Sequence, residues 1–169
     1  MHTEELVIPK RIQLITGKPG SLLTQTTVSL FTSFANRAFR KDFYFLSVKI
    51  YDQRNDKKSM ARISAAQKEF LSGIDVMGKT QAHWPHLGNT LTEKRYVGVV
   101  AFTSQCARLS QLFVTTDRFL IAPYMAKISG LISQADLNEI SEEVDLLLKE
   151  LYSSMHSKRP DVARPIPLD

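Results

Sequence analysis

The spacing of apolar residues changes along this 169-residue chain and divides its first third into short elements. After Pro9, Ile12 and Leu14 alternate with polar residues, a pattern typical of an edge strand or a basic arm over residues 6–16. The threonine-rich stretch that follows predicts a strand leading into a short helix. Residues 43–51 are dense in aromatic and β-branched types and predict a buried strand.

The middle of the chain predicts one helix and two strands around a long irregular segment. Ser59 is placed to cap a helix over residues 60–72. Periodicity is lost over residues 73–89, and an irregular segment of that length in a compact domain is either functional or mobile. Residues 95–103 and 107–115 are then each typical of a strand.

The clearest pattern lies in the two helices predicted after residue 115. Gly130 is suited to end the first, because glycine adopts a left-handed conformation without a Cβ penalty. Pro123 lies within that helix and disfavours its interior unless the helix begins near Ala122. Ser133 predicts the N-cap of the second helix, with Asp136 completing a capping box. Apolar residues then recur at spacings of three and four and form a seam: Leu137, Ile140, Val144, Leu147 and Leu151.

A strand followed by two helices joined through a Gly-x-x-Ser turn is the plan of a ribbon-helix-helix unit, here over residues 107–156. Such a unit exposes one strand edge and two apolar helix faces, so we expect a homodimer in which the seam forms the dimerisation surface. The paired strands would enter a DNA major groove. The predicted DNA contacts of this unit are Arg108, Ser110, Gln111 and the helix start at Ser133.

Two alternatives stay open for the same residues. Residues 107–115 also fit an internal sheet strand backed by two core helices. The basic segment of residues 10–16 is a rival ribbon strand or arm, with Lys10, Arg11 and Gln13 as its DNA contacts. On either interpretation the fold class is α+β, with a small antiparallel sheet and helices in a single domain over residues 1–156. Residues 157–169 contain three prolines and predict a disordered tail.

Charge is distributed unevenly along the chain. The net charge is +5 and the pI is about 9.4. Residues 1–62 contain 11 lysines and arginines against five acidic residues, a net charge of +6, whereas residues 133–169 contain four against eight, a net charge of −4. A basic segment of this kind favours a polyanionic partner, and double-stranded DNA is the partner we expect.

Motifs for catalysis are missing from the sequence. It contains no phosphate-binding glycine loop and no nucleophile motif, and His83 and His86 are separated by a proline and have no third metal ligand nearby. We therefore expect no enzyme activity, no metal or other cofactor and no small-molecule substrate. The single Cys106 excludes an intramolecular disulfide, and the N-terminus lacks the features of a signal peptide, so a cytoplasmic protein without a membrane span is expected.

Two segments resemble a known family. Residues 20–40, GSLLTQTTVSLFTSFANRAFR, resemble the threonine-rich strand and short basic helix of AcaB-like ribbon-helix-helix regulators, which are encoded on conjugative plasmids and integrative conjugative elements. Residues 111–133, QLFVTTDRFLIAPYMAKISGLIS, resemble the aspartate-bearing segment of that family. Arg37 and Arg40 on the basic helix join the candidate DNA contacts.

The resemblance implies a dimeric transcriptional regulator, expected to be an activator, that acts on conjugative transfer genes without a cofactor. The alternative function is a non-enzymatic protein-interaction component of a conjugation or plasmid-maintenance machine. In that case the seam and the acidic last helix would bind a protein partner.

Overall fold

The computed structural model describes residues 3–16, 24–81, 84, 94–101 and 103–156. The described elements are β1 (Thr3–Glu5), α1 (Lys10–Thr16), β2 (Thr24–Leu30), α2 (Ser33–Asp52), α3 (Lys57–Thr80), β3 (Arg95–Ala101), α4 (Ser104–Ile128) and α5 (Gln134–Met155). The strands form one sheet in the order β1-β3-β2, in which β2 is antiparallel and β1 parallel to β3. The α+β class is confirmed, but the sheet is mixed rather than antiparallel.

Two strand–helix–helix units make up most of the fold. The first is β2-α2-α3 and the second is β3-α4-α5. Corresponding elements contact each other: β2 pairs with β3, α2 packs on α4 and α3 packs on α5. The two units are therefore related by an approximate two-fold axis, and a single chain supplies both.

The sequence carries the same relation as an internal repeat. Residues 28–37, VSLFTSFANR, align without a gap on residues 99–108, VVAFTSQCAR, and share Val, Phe-Thr-Ser and Arg. The alignment matches Thr27 to Gly98, and these two residues also lie opposite each other in the middle of the paired strands. In an antiparallel ribbon with two-fold symmetry, the central residue of one strand pairs with the equivalent residue of the other. The sequence alignment and the pairing of β2 with β3 therefore give the same centre.

Each strand leads into its helix through the same cap. Thr32 and Thr103 both have extended backbones and accept a hydrogen bond from the amide three residues on, at Ala35 and Cys106. This is the usual way in which a threonine satisfies a free helix N–H group. Because both caps follow their strand after one intervening residue, α2 and α4 leave the ribbon at its two opposite ends.

The junction between β2 and α2 is held by a buried carboxylate on α4. Asp117 is fully buried and accepts hydrogen bonds from the Phe31 amide at 2.9 Å, the Thr32 amide at 2.8 Å and the Thr32 hydroxyl at 2.8 Å. The negative charge also lies at the N-terminal end of α2, where the helix dipole favours it. Asp117 therefore fixes where the first unit turns from strand to helix.

The predicted strand over residues 43–51 is wrong, because these residues form the second half of α2. Phe39, Phe43, Leu46 and Ile50 are buried at spacings of four, three and four residues, which is helical. The Phe39 ring contacts Phe43 at 4.8 Å and Phe113 of α4 at 5.4 Å between ring centroids. The dense aromatic pattern thus belongs to the α2–α4 contact at the centre of the core.

The strand predicted over residues 107–115 is also wrong. This segment lies in α4, which runs from Ser104 to Ile128 and contains Pro123 at a buried position inside the helix. The helix does not begin near Ala122, as Pro123 favoured. Leu109, Leu112 and Phe113 are buried at helical spacing, and α4 packs against α2 and the sheet.

The edge strand or arm predicted over residues 6–16 is a short helix from Lys10 onward. Ile12 is fully buried and Leu14 is 72% exposed, so the two residues do not share a face as a strand would require. Helix α3 is longer than expected and begins after Asp56, which caps it through the Lys58 amide. Ser59 is therefore not the cap, although its hydroxyl donates to the Asp56 carboxylate at 2.6 Å.

The turn between α4 and α5 follows the sequence prediction. Gly130 has a φ of 73°, and Ser133 and Asp136 form a reciprocal capping box at the start of α5. The hydroxyl and amide of Ser133 both donate to the Asp136 carboxylate at 2.7 Å, which holds the pKa of Asp136 below its ordinary value. The disordered tail predicted over residues 157–169 lies outside the described residues, as do His83 and His86.

Candidate nucleic-acid interface

One face of the ribbon formed by β2 and β3 is polar and accessible along β2. On β2, Gln25 and Thr27 are exposed and Ser29 is half-buried, whereas Val28 and Leu30 point into the core. The register places Gln25 opposite Val100, Thr27 opposite Gly98 and Ser29 opposite Tyr96, so these six residues share one side. We call this side the outer face. Helix α4 contacts both strands and belongs with the buried residues on the other side.

Cations lie near the two ends of the ribbon. The Lys94 ammonium, just before β3, lies 5.5 Å from the centre of the Phe31 ring and 5.3 Å from that of Tyr96. Arg37 and Arg108 are equivalent in the internal repeat and both are exposed, each in the second turn of its helix. Because α2 and α4 leave opposite ends of the ribbon, these two arginines are placed at its two ends.

The strand β1 brings acidic residues to the ribbon. It pairs with β3 over three positions, Thr3 to Tyr96, Glu4 to Val97 and Glu5 to Gly98. Glu5 therefore lies on the outer face, and its carboxylate occupies the space that a side chain at Gly98 would fill. Beyond β1, the Tyr44 hydroxyl accepts a hydrogen bond from the Val100 amide at 3.1 Å, and burial raises the pKa of Tyr44.

A groove of about 540 Å³ lies between α1 and α2 and collects basic residues predicted from the sequence. Arg11 Nη2 donates to both carboxylate oxygens of Asp52, at 2.7 and 2.9 Å, and Arg40 pairs with Glu4 and donates to Asn36. Two other cations of the groove, Lys41 and Lys49, have no carboxylate within 4 Å among the described residues. The groove therefore has a positive rim.

The remaining predicted DNA contacts are spread over the molecule. Lys10 and Gln13 are exposed on α1, and Gln13 donates to the Ile8 carbonyl. Gln111 lines a separate cleft of about 240 Å³ between α3 and α4, together with Arg108. Ser110 is buried and donates to the Ala107 carbonyl at 2.7 Å, so its side chain does not reach a surface. A strand that presents these three residues of α4 to base edges does not exist.

Ser133 lies far from the ribbon. It follows α4, whose 25 residues span about 37 Å from the sheet. Its side chain is already engaged in the capping box of α5. The predicted phosphate contact at Ser133 is therefore separate from the outer face.

The seam of α5 is part of the core of a single chain. Leu137, Val144 and Leu151 are buried, and Ile140 and Leu147 pack against the same core. Helix α3 covers most of this seam, with smaller contributions from α4 and α2. The seam was expected to pair two chains, but these residues are already covered by the first unit of the same chain. A homodimer stays a prediction that would need another surface.

Within residues 3–16, 24–81, 84, 94–101 and 103–156, no three His, Cys, Asp or Glu side chains come together as a metal site. None of the helices in these ranges is long and apolar enough to cross a membrane.

Comparison with known proteins supports the architecture. No protein-family model matches the chain, and no curated protein matches it by sequence. Among solved structures, the crystal structure of AcaB from uropathogenic E. coli matches with a TM-score of 0.67. The match covers 80% of this chain and 78% of that chain, at 10% sequence identity. The chain has an AcaB-like fold.

The AcaB-like fold agrees with the sequence resemblance in residues 20–40 and 111–133. In the structure the first segment contains β2 and the start of α2, and the second contains most of α4 with Asp117. The residues of the outer face were missed by sequence reasoning. The repeated Phe-Thr-Ser at residues 31–33 and 102–104 is the signal that would have found them, because it marks the end of each ribbon strand.

Proposed function

We propose that this protein is a sequence-specific DNA-binding regulator of conjugative transfer genes and that the outer face of the β2–β3 ribbon contacts the DNA. The observation that carries the proposal is the pairing of two strand–helix–helix units through an antiparallel ribbon whose outer face carries polar, accessible side chains on β2. The major groove of B-DNA admits a two-stranded ribbon. Seven residues per strand correspond to about 23 Å, enough to follow the groove over several base pairs.

The two kinds of side chain on this surface would have different tasks. Gln25, Thr27 and Ser29 carry hydrogen-bonding groups suited to base edges. Arg37 and Arg108, at the two ends of the ribbon, are suited to the phosphates that flank the groove. The net charge of +5 and the AcaB-like fold favour the same function.

Binding is tested by fluorescence anisotropy with duplexes taken upstream of conjugative transfer genes. We expect the affinity to fall steeply with salt and to survive an excess of random competitor DNA. Arg37→Gln and Arg108→Gln should each weaken binding to specific and random duplexes alike and flatten the salt dependence by about one unit of slope. Lys127→Gln is the control, because Lys127 is an exposed cation in the last turn of α4, away from the ribbon.

Two results would contradict this assignment. Binding that competitor DNA abolishes would leave only non-specific attraction to a polyanion. Unchanged affinity in both Arg37→Gln and Arg108→Gln would remove the ribbon from the interface. The direction of regulation is tested separately with a promoter fusion, in which an activator raises expression of the reporter gene and a repressor lowers it.

A second candidate function rests on the exposed side of α5. Leu146 is 59% exposed and lies between Glu139, Glu143 and Glu150, which are also exposed. This acidic surface suits a protein partner in a conjugation machine. Leu146→Glu would leave DNA binding intact and abolish promoter activation or transfer if the surface binds a partner; unchanged transfer would remove this candidate.

A further inference from the structure

We infer that a single chain reads a DNA site that is not a palindrome. The inference rests on the proposed function and goes further, because it names the symmetry of the DNA and the number of chains bound to it. A homodimeric ribbon has two identical strands, and the symmetry of its operator mirrors the symmetry of the protein. Here the two strands belong to one chain and differ in sequence.

The two halves of the outer face have different chemistry. The positions of β2 that face outward carry Gln25, Thr27 and Ser29, and the equivalent positions of β3 carry Tyr96, Gly98 and Val100. An amide side chain pairs bidentately with adenine, and a hydroxyl both donates and accepts hydrogen bonds. Glycine and valine have no side-chain hydrogen-bonding group. Hydrogen bonds to base edges are therefore concentrated in the half that β2 presents.

Accessibility increases this difference. Gln25 and Thr27 are exposed, whereas Gly98 and Val100 are buried, with the Glu5 carboxylate above Gly98. Tyr96 is half-buried, and its ring contacts the Lys94 ammonium. The β3 half therefore offers mainly charge and an aromatic ring, which suit the DNA backbone more than a particular base sequence.

The third strand also breaks the symmetry. Because the sheet order is β1-β3-β2, β1 covers the edge of β3 and leaves β2 as an edge strand of the sheet. Strand β1 adds Glu5 to the outer face on the β3 side, whereas Glu4 lies on the opposite face and pairs with Arg40. The outward-facing residues of β2 are uncharged, so the two sides of the outer face differ in charge and a duplex has one preferred orientation on it.

A second chain is not needed to complete this ribbon. The helices that a lone strand–helix–helix unit would leave exposed are covered inside the chain, since α2 packs on α4 and α3 on α5. Their facing residues Phe39, Phe113 and Val144 are at most 2% exposed. One chain is therefore expected to bind one site.

The test is a selection of binding sites from a random duplex library with the full-length protein, followed by native mass spectrometry of the complex with the selected duplex. We expect a motif without an inverted repeat and one chain per duplex. A palindromic motif bound by two chains would overturn this inference and leave DNA binding standing. A library with no enriched motif would overturn the proposed sequence-specific function itself.

A matched pair of variants locates the reading half. Gln25→Ala should lose roughly 5- to 150-fold in affinity for the selected duplex, none for random DNA, and should relax the motif on one side only. Gln134→Ala removes another exposed glutamine, at the start of α5 and away from the ribbon, and should bind as the parent does. Relaxation of both sides of the motif by Gln25→Ala would show that each half of the site meets the same residue, which would overturn the inference. Circular dichroism melts confirm that both variants are folded.

Discussion

Asp117 is the residue whose replacement tests most directly how the ribbon is joined to its helices. Its carboxylate accepts three hydrogen bonds from Phe31 and Thr32, and the side chain is fully buried. In Asp117→Asn the side chain keeps nearly the same shape. One of its two oxygens becomes an NH₂ group, which then faces an N–H donor of the chain instead of accepting from it.

The cost follows from the bonds that are lost. A hydrogen bond to a charged group contributes about 1.5–3 kcal/mol, and a buried donor left without an acceptor costs about 1–3 kcal/mol. The negative charge at the start of α2 adds up to about 2 kcal/mol in partly buried sites. Relief from burying a charge offsets part of this loss. We therefore expect Asp117→Asn to lower the free energy of unfolding by about 3 kcal/mol.

Urea denaturation followed by circular dichroism at 222 nm measures this loss. With an m-value of about 2 kcal/mol/M, a loss of about 3 kcal/mol moves the midpoint down by roughly 1.5 M at unchanged slope. Asp136→Asn is the control, because Asp136 also caps a helix through Ser133 but is exposed. Its midpoint should move much less.

A midpoint shift in Asp117→Asn that is no larger than the shift in Asp136→Asn would contradict this prediction. That result would mean that the Phe31 and Thr32 amides find other acceptors and that the buried carboxylate does not hold the junction. A change in slope without a change in midpoint would point to the denatured state instead.

Four further predictions concern other parts of the molecule. Gly130→Ala should lower stability by about 1 kcal/mol because φ is 73° there, and Gly130→Asn by less; equal melts for both variants and the parent would contradict this. The pKa of Asp136 is lowered by the hydroxyl of Ser133, so its contribution is present above the unfolded-state pKa and is lost as the pH falls through the folded pKa. Unfolding midpoints measured from pH 6 to pH 3 should therefore fall less in Asp136→Asn than in the parent. Glu5→Gln removes a negative charge from the outer face and should tighten binding to any duplex by roughly 1 kcal/mol at low salt, as measured by anisotropy; weaker binding would assign Glu5 to base recognition. The urea midpoint should not depend on protein concentration, unlike that of an obligate dimer, and a rise with concentration would show that folding needs a second chain.

Several elements could be predicted from the sequence because their signals are local. The capping box at Ser133, the left-handed Gly130 and the strand at residues 95–101 depend on neighbours within a few positions. The α+β class and the turn between α4 and α5 followed from these signals. The plan of a strand with two helices was also right for the second half of the chain, but its strand is β3, about a dozen residues earlier than predicted.

The errors at residues 43–51 and 107–115 have a common physical cause. Both segments lie in the central helices α2 and α4, which are covered on more than one side by the sheet and by other helices. In α4, Leu112, Phe113 and Val114 are consecutive and all buried. A helix that is buried over most of its circumference shows a weaker 3.6-residue pattern, so a nine-residue window with β-branched and aromatic residues is hard to distinguish from a strand.

The outer face could not be found from periodicity, because its identity depends on a partner strand about 70 residues away. In the sequence, the outer face is marked by the internal repeat of residues 28–37 and 99–108 and not by the spacing of apolar residues.

Two units on one chain always meet at high effective concentration, so neither has to keep the self-complementary surface that a homodimer requires. The sequence of each unit is therefore free to diverge from that of the other. Asp117 on α4 is an example, since the internal repeat places Leu46 at the equivalent position of α2. Within the described residues, one of the two strand-to-helix junctions has a buried carboxylate, and β3 but not β2 has a third strand beside it. The same freedom explains how one half of the ribbon can keep polar, exposed side chains while the other half loses them.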